Sequence, residues 1–271
     1  MSLSNTHFDL NQPYWRDYLP YLKTFTGANF PDCDQLNALL PADLLSAGGA
    51  PIGFVPSTEL DDTPYEQRIY TCGQVSTRPG SWHDLFNALV WMRFPRLKIA
   101  MNTVHCNSPE QTSTGSRGAQ RDALTLFDEC GVIVFSQHRQ VLNALAQRDW
   151  ANTFQADATK QQAQYVICGH AILEKFLSPY KAMTAKAVLV KVDANTMNLP
   201  RETLLEDLDL RLAELLLAGD ILTKPACLTP LPLAGIPGWW PDGQQDHDFY
   251  ADQYVFRPAP MSLTAVPIIE L

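Results

Sequence analysis

Histidines, asparagines and acids recur at helical spacing through the middle of this 271-residue chain. His83 and Asn87 are four residues apart, Lys98, Asn102 and His105 are four and three apart, and Arg121, Thr125 and Asp128 repeat that pattern. Residues at these spacings stack on one face of a helix. Three successive helices would each carry a polar row, and convergence of those rows would enclose a polar pocket. Histidine with aspartate is a donor set for a divalent metal that activates water, and Arg68, Arg78 or Arg121 would neutralise a phosphate or carboxylate on a substrate. Asp128 and Glu129 fall at the end of the third row, where the helix macrodipole opposes negative charge. That local cost calls for a partner: Arg121, a metal or another segment.

A second candidate is the strand-to-helix turn YVICGHAILEKF, in which Gly169 permits a tight turn and sets His170 at a helix N-terminus, one turn before Glu174. Ligands of open α/β sheets bind at such strand ends. The H-x-x-x-E spacing is less specific than H-E-x-x-H, and a histidine that orients a loop is its commoner outcome. The candidate catalytic set is thus His83, Asn87, His105, Asp128, His170 and Glu174, with His83, His105 and His170 as metal candidates and a divalent metal as the candidate cofactor. His83 and His105 are expected to approach each other across the break at Pro95. Each residue also has a plain structural role open to it. Asp84 can serve the cap of its own helix, His83 can be a solvated first-turn residue, and Asn87 can tie a loop.

Among the elements that carry these residues, Ser81 followed by Asp84 marks a helix start at Trp82, with Trp82, Leu85, Phe86, Leu89 and Val90 as its apolar stripe. Pro95 ends that helix and opens the next, Arg96 to His105. A third helix runs from Ala119 to Cys130, with Gly131 placed to cap it. Then GVIVFS reads as a buried strand, QHRQVLNALAQRDW as a helix, and the stretch to Gln162 as another. A strand Gln164 to Cys168, a helix Gly169 to Leu177, a strand Ala187 to Val192 and a helix Leu204 to Leu217 follow. This alternation predicts an α/β or α+β fold with a small, mainly parallel sheet flanked by helices. Residues 1–64 read as an irregular, Pro-rich wrapping arm, and 65–271 as a single globular domain with a Pro- and aromatic-rich tail from Lys224. The tail's Trp239 and Trp240 are expected not to face water together. The loop CNSPEQTSTGSRG after His105 is a candidate lid.

The net charge of −9 argues against nucleic acid and anionic membranes as partners. Residues 66–121 nevertheless hold seven basic residues against three acids, a local +4 that would attract a small anionic ligand. No run reaches the length of an apolar span, the first residues lack the basic and apolar regions of a secretory signal, and the six cysteines form no C-x-x-C pair, so a cytoplasmic protein with reduced thiols is expected. The phosphate-loop, dinucleotide and nucleophile-elbow motifs are absent.

YEQRIY from Tyr65, SWHDLFNALVWMRFP from Ser81, Asn102 with His105, RDALTLFDECGV from Arg121, CGHAILEKFLSPY from Cys168 and LPLAGIPGWWPD…FYADQYVFRP together resemble the bacterial domain-of-unknown-function family 3025, over about Tyr65 to Pro258. The resemblance implies a bacterial setting and no activity, so the residues carry the functional reading. Two classes remain: an enzyme or binding site for a small phosphate- or carboxylate-bearing molecule, with metal-assisted hydrolysis as its chemistry, and a non-catalytic interaction protein whose polar rows tie loops to helices.

Overall fold

The computed structural model describes residues 9–25, 29–108, 118–155, 163–240, 245–260 and 265–271. In chain order the helices are α1 (Leu19–Leu22), α2 (Cys33–Asn37), α3 (Tyr65–Cys72), α4 (Trp82–Arg93), α5 (Pro95–Asn107), α6 (Ala119–Cys130), α7 (Arg139–Ala146), α8 (His170–Lys175), α9 (Ala194–Met197), α10 (Arg201–Ala218) and α11 (His247–Tyr250). The strands are β1 (Gly53–Pro56), β2 (Gln74–Thr77), β3 (Gly131–Ser136), β4 (Gln164–Ile167), β5 (Thr184–Lys191), β6 (Thr229–Pro232) and β7 (Ile268–Glu270).

Every residue of β3 is buried, and β3 pairs in parallel with β5, which is apolar along most of its length. Strands covered on both faces read as continuous apolar runs, as β3 does throughout and β5 does over Ala187–Val190. The rest of the sheet corrects the expectation of mainly parallel pairing. β4 is antiparallel to β3, and the far edge of β5 is shared by antiparallel β6 along Thr184–Ala187 and parallel β7 along Leu189–Lys191. The sheet is mixed because alternation of strands and helices carries no strand direction, and the long connection from β3 to β4 permits either. A separate parallel pair, β1 with β2, is joined by α3, so β1-α3-β2 forms a small unit of its own.

The N-terminal segment contributes side chains to the core. Trp15 and Tyr18 are fully buried, Trp15 stacks on Phe86 at 5.6 Å and Tyr14 on Phe176 at 3.9 Å. The Tyr18 hydroxyl donates to the Ile167 carbonyl, and Arg201 holds Asp17 through both carboxylate oxygens at 2.8–2.9 Å. At the other end Trp239 is buried edge-on against Tyr14, Tyr165 and Phe176 while Trp240 is half-buried, as the apolar run required. All six cysteines are unpaired. No described helix is long and apolar enough to cross a membrane. In the stretch expected to form a further helix up to Gln162, a short π turn covers Ala151–Gln155, and 156–162 lie outside the described residues. Residues 109–117 of the candidate lid lie outside them too.

Candidate metal centre

Local signals deliver the helices that build the site. The Ser81 hydroxyl accepts from the Asp84 amide at 3.2 Å and caps α4, so His83 and Asn87 face away from the stripe that packs on the core. Asp84 does more than serve the cap: its carboxylate accepts the Arg78 amide at 2.7 Å and the Arg78 guanidinium at 2.7 and 2.9 Å. Pro95 opens α5, and buried Asp209 of α10 accepts the amides of Arg96 and Leu97 at 3.1 and 2.8 Å, standing in for the cap that Phe94 cannot supply. Burial pushes the Asp209 carboxyl up to about 6 despite those two amides.

The junction of α6 with β3 corrects the role expected of Gly131. It is extended, with φ −71° and ψ 141°, so it makes no left-handed cap; it begins the strand directly after the helix. Its carbonyl accepts from the amides of Cys168 and Gly169 at 2.9 and 2.8 Å. A Cβ on Gly169 would lie 2.3 Å from the Gly131 nitrogen and 2.6 Å from the Cys130 carbonyl carbon. Two glycines in backbone contact thus bring the start of α8 against the end of α6, and set His170 beside Asp128 and Glu129.

Around that contact lies a cavity of about 400 Å³ lined in part by Tyr65, Arg78, His83, Asn87, Lys98, His105, Asp128, Glu129 and His170. A directed chain of polar groups runs along its wall. Lys98, its side chain 6% exposed, donates to Asp128 Oδ1 at 2.5 Å and to Asn87 Oδ1 at 3.0 Å, and Asn87 Nδ2 donates to the Tyr65 hydroxyl at 2.9 Å. Burial opposes the charge on Asp128, but Lys98 and His170 outweigh it and hold the carboxyl below its ordinary value.

The two imidazoles meet at Nε2, 3.0 Å apart with ring planes at 83°. His83 Nδ1 faces Glu174 Oε2 at 3.0 Å, so it carries the proton of that bond. His170 Nδ1 is buried with no hydrogen-bond partner, and Asp128 Oδ2 lies 3.7 Å from it. Glu129 Oε2 lies 3.8 Å from His170 Nε2. Ligand atoms of His83, Glu129 and His170 all fall within 4.8 Å of one another. Burial draws the His170 imidazole down to about 4, overriding the pull of Asp128 toward the charged form, and the ring is neutral at pH 7.

The structure therefore brings His83, Asn87, Asp128, His170 and Glu174 into one network. Glu174 bonds His83 across the interface of α4 with α8, not His170 on its own helix. His105 lines the same cavity but is outside the three-residue cluster. Of the arginines only Arg78 lines the cavity: Arg68 is paired with Asp61 and Gln74, and Arg121 donates to the carbonyls of His105 and Ser108. Glu129 is the residue the spacing argument left out of the candidate set, although the cost of an acid at a helix C-terminus was its signal.

A model of the family described as "Protein of unknown function (DUF3025)" matches residues 52–260. The chain belongs to the DUF3025 family. Every residue of the cavity wall falls within the matched region of this DUF3025 protein. No curated protein and no solved structure matches it.

Proposed function

We propose that this DUF3025 protein binds one divalent transition-metal ion through His83 Nε2, His170 Nε2 and the Glu129 carboxylate, and uses it to hydrolyse a small molecule bearing a phosphate or carboxylate. The observation that carries the reading is the orientation of the two rings. Both Nδ1 atoms face carboxylates, Glu174 at 3.0 Å and Asp128 at 3.7 Å, while both Nε2 atoms aim at one spot beside a third carboxylate. With both Nδ1 atoms protonated, two lone pairs and an anion point at one another, and a cation between them removes the repulsion. A proton can bridge the rings as well, with His83 as an imidazolium paired with Glu174, but it leaves Glu129 outside the bond, whereas a metal takes that carboxylate as its third ligand.

The spacings fit a metal. Zinc–nitrogen bonds of about 2.0–2.1 Å at a tetrahedral angle hold two donors about 3.3 Å apart; the two imidazoles stand at 3.0 Å, His170 and Glu129 at 3.8 Å, and all three ligand atoms lie within 4.8 Å of one another. Two histidines and one glutamate form a familiar catalytic zinc set that leaves a position for water, and a bound metal lowers the pKa of that water to about 7. Asp128 and Glu174 would fix the tautomer and orientation of the two rings, a role outer carboxylates commonly fill. The cavity wall carries four carboxylates, Glu66, Asp84, Asp128 and Glu129, against Arg78 and Lys98. An anionic substrate would therefore draw its attraction from the metal, with exposed Arg78 at the rim as the remaining arginine in reach.

Protein reconstituted with zinc, cobalt or manganese, assayed on chromogenic carboxylate and phosphate esters, tests the reading. Turnover that chelation abolishes and Glu129→Gln removes is the expected result. Stoichiometric metal without turnover on any substrate would reduce the site to metal binding, and absence of metal binding would leave the non-catalytic interaction protein.

A further inference from the structure

Lys98 fixes more than the charge of Asp128. An ammonium group only donates, so the atom of Asn87 that faces Lys98 at 3.0 Å must be its carbonyl oxygen. The amide's other end, Nδ2, then has to face Tyr65, and it donates to the hydroxyl oxygen at 2.9 Å. The direction of every bond is set from the lysine outward. The phenol oxygen is an acceptor in this chain, which leaves its own proton to be given elsewhere, and among the described residues that proton has no acceptor.

Tyr65 is the first residue of α3, part-exposed, and its ring belongs to the cavity wall. Asn87, its partner, lies one helical turn from the metal candidate His83 on α4. Ile69, Trp91, Met101 and Leu124 complete the apolar part of the same wall. From this geometry we infer that Tyr65 is a substrate-positioning donor, held by Lys98 and Asn87 to bind an oxygen acceptor, a carbonyl or carboxylate, on the molecule whose other end reaches the metal. The inference rests on the metal reading above. A phenol is protonated at neutral pH, so the group stays a donor and does not act as a base. A group that can only donate, such as an ammonium, would be rejected at this position, because it would meet the Tyr65 proton with one of its own.

Metal-binding thiols with and without an acceptor separate the two readings. Cobalt-loaded protein is titrated with mercaptoacetate, 3-mercaptopropionate and 4-mercaptobutyrate, with propanethiol as the acceptor-free control and cysteamine as the donor-only one, and the thiolate-to-cobalt absorption band is followed. In the wild type at least one mercapto acid is expected to bind about tenfold or more tightly than propanethiol, since a hydrogen bond to a charged group contributes on that scale. Cysteamine should gain nothing over propanethiol. Tyr65→Phe, which removes one oxygen and keeps the ring, should erase the advantage of the mercapto acid and leave cobalt content and propanethiol affinity unchanged. An advantage that survives in Tyr65→Phe, or that is absent from the wild type, overturns the role of Tyr65 while the metal site stands. A wild-type protein that takes up no cobalt overturns both.

Discussion

Gly169→Ala tests how the site is held together. The added Cβ would sit 2.3 Å from the Gly131 nitrogen and 2.6 Å from the Cys130 carbonyl carbon, both backbone atoms that cannot rotate away. Restoring ordinary contact of about 3.5 Å requires the two chain segments to separate by roughly 1 Å. The two amides that donate to the Gly131 carbonyl at 2.8 and 2.9 Å would then be stretched beyond bonding. Losing two buried hydrogen bonds at about 1 kcal/mol each, with part of the desolvation penalty of the stranded groups, costs about 2–4 kcal/mol. For a chain of this size that lowers the thermal midpoint by roughly 5–15 °C. His170 is the next residue, so its ring moves with the segment and zinc affinity should fall more than tenfold. The control is Gly118→Ala, where a Cβ meets nothing within 4 Å and the cost should stay within about 0.5 kcal/mol. Urea titration and zinc binding of both variants are the assays. A Gly169→Ala protein with wild-type midpoint and zinc affinity would refute the glycine contact as what positions His170.

Three further outcomes follow from single contacts. Ser81→Ala should lower stability by about 1 kcal/mol in urea titration and leave zinc binding unchanged, because the hydroxyl caps α4 and is not part of the cavity wall. Lys98→Met should cost about 3 kcal/mol by stranding Asp128, whose side chain is 25% exposed, and adding Asp128→Asn should recover much of that loss in a double-mutant cycle. Asp209 has its folded pKa raised from 3.8 to about 6, so its protonated form is favoured by folding. Its contribution is fully present below about pH 4 and is lost as pH rises through 6, by about 2–3 kcal/mol. Asp209→Asn should therefore flatten that part of the stability-versus-pH curve, and a difference curve with no slope between pH 4 and 6 would contradict the burial argument.

The legible parts of the molecule were those with local causes. Ser81 and Pro95 mark real helix boundaries because caps and prolines act within one turn. The polar rows of α4 and α5 line one cavity, a convergence their spacing left open. The pairings across helices were not legible. Glu174 turned out to serve His83, and Arg121 a loop, since spacing along a helix says which face a residue occupies and nothing of what packs against that face. Glu129 escaped for a similar reason: it joins the two histidines through the contact of Gly131 with Gly169, which unites residues about 40 positions apart. Sheet direction was hidden too, because β4 is buried along most of its length as a parallel strand would be.

Calorimetric titration of zinc into the wild-type protein and into His83→Ala, Glu129→Ala and His170→Ala tests the metal centre most directly. One equivalent in the wild type, with each variant folded by circular dichroism yet weakened at least tenfold, is the predicted result. No stoichiometric zinc in the wild type, or wild-type affinity in all three variants, would contradict it.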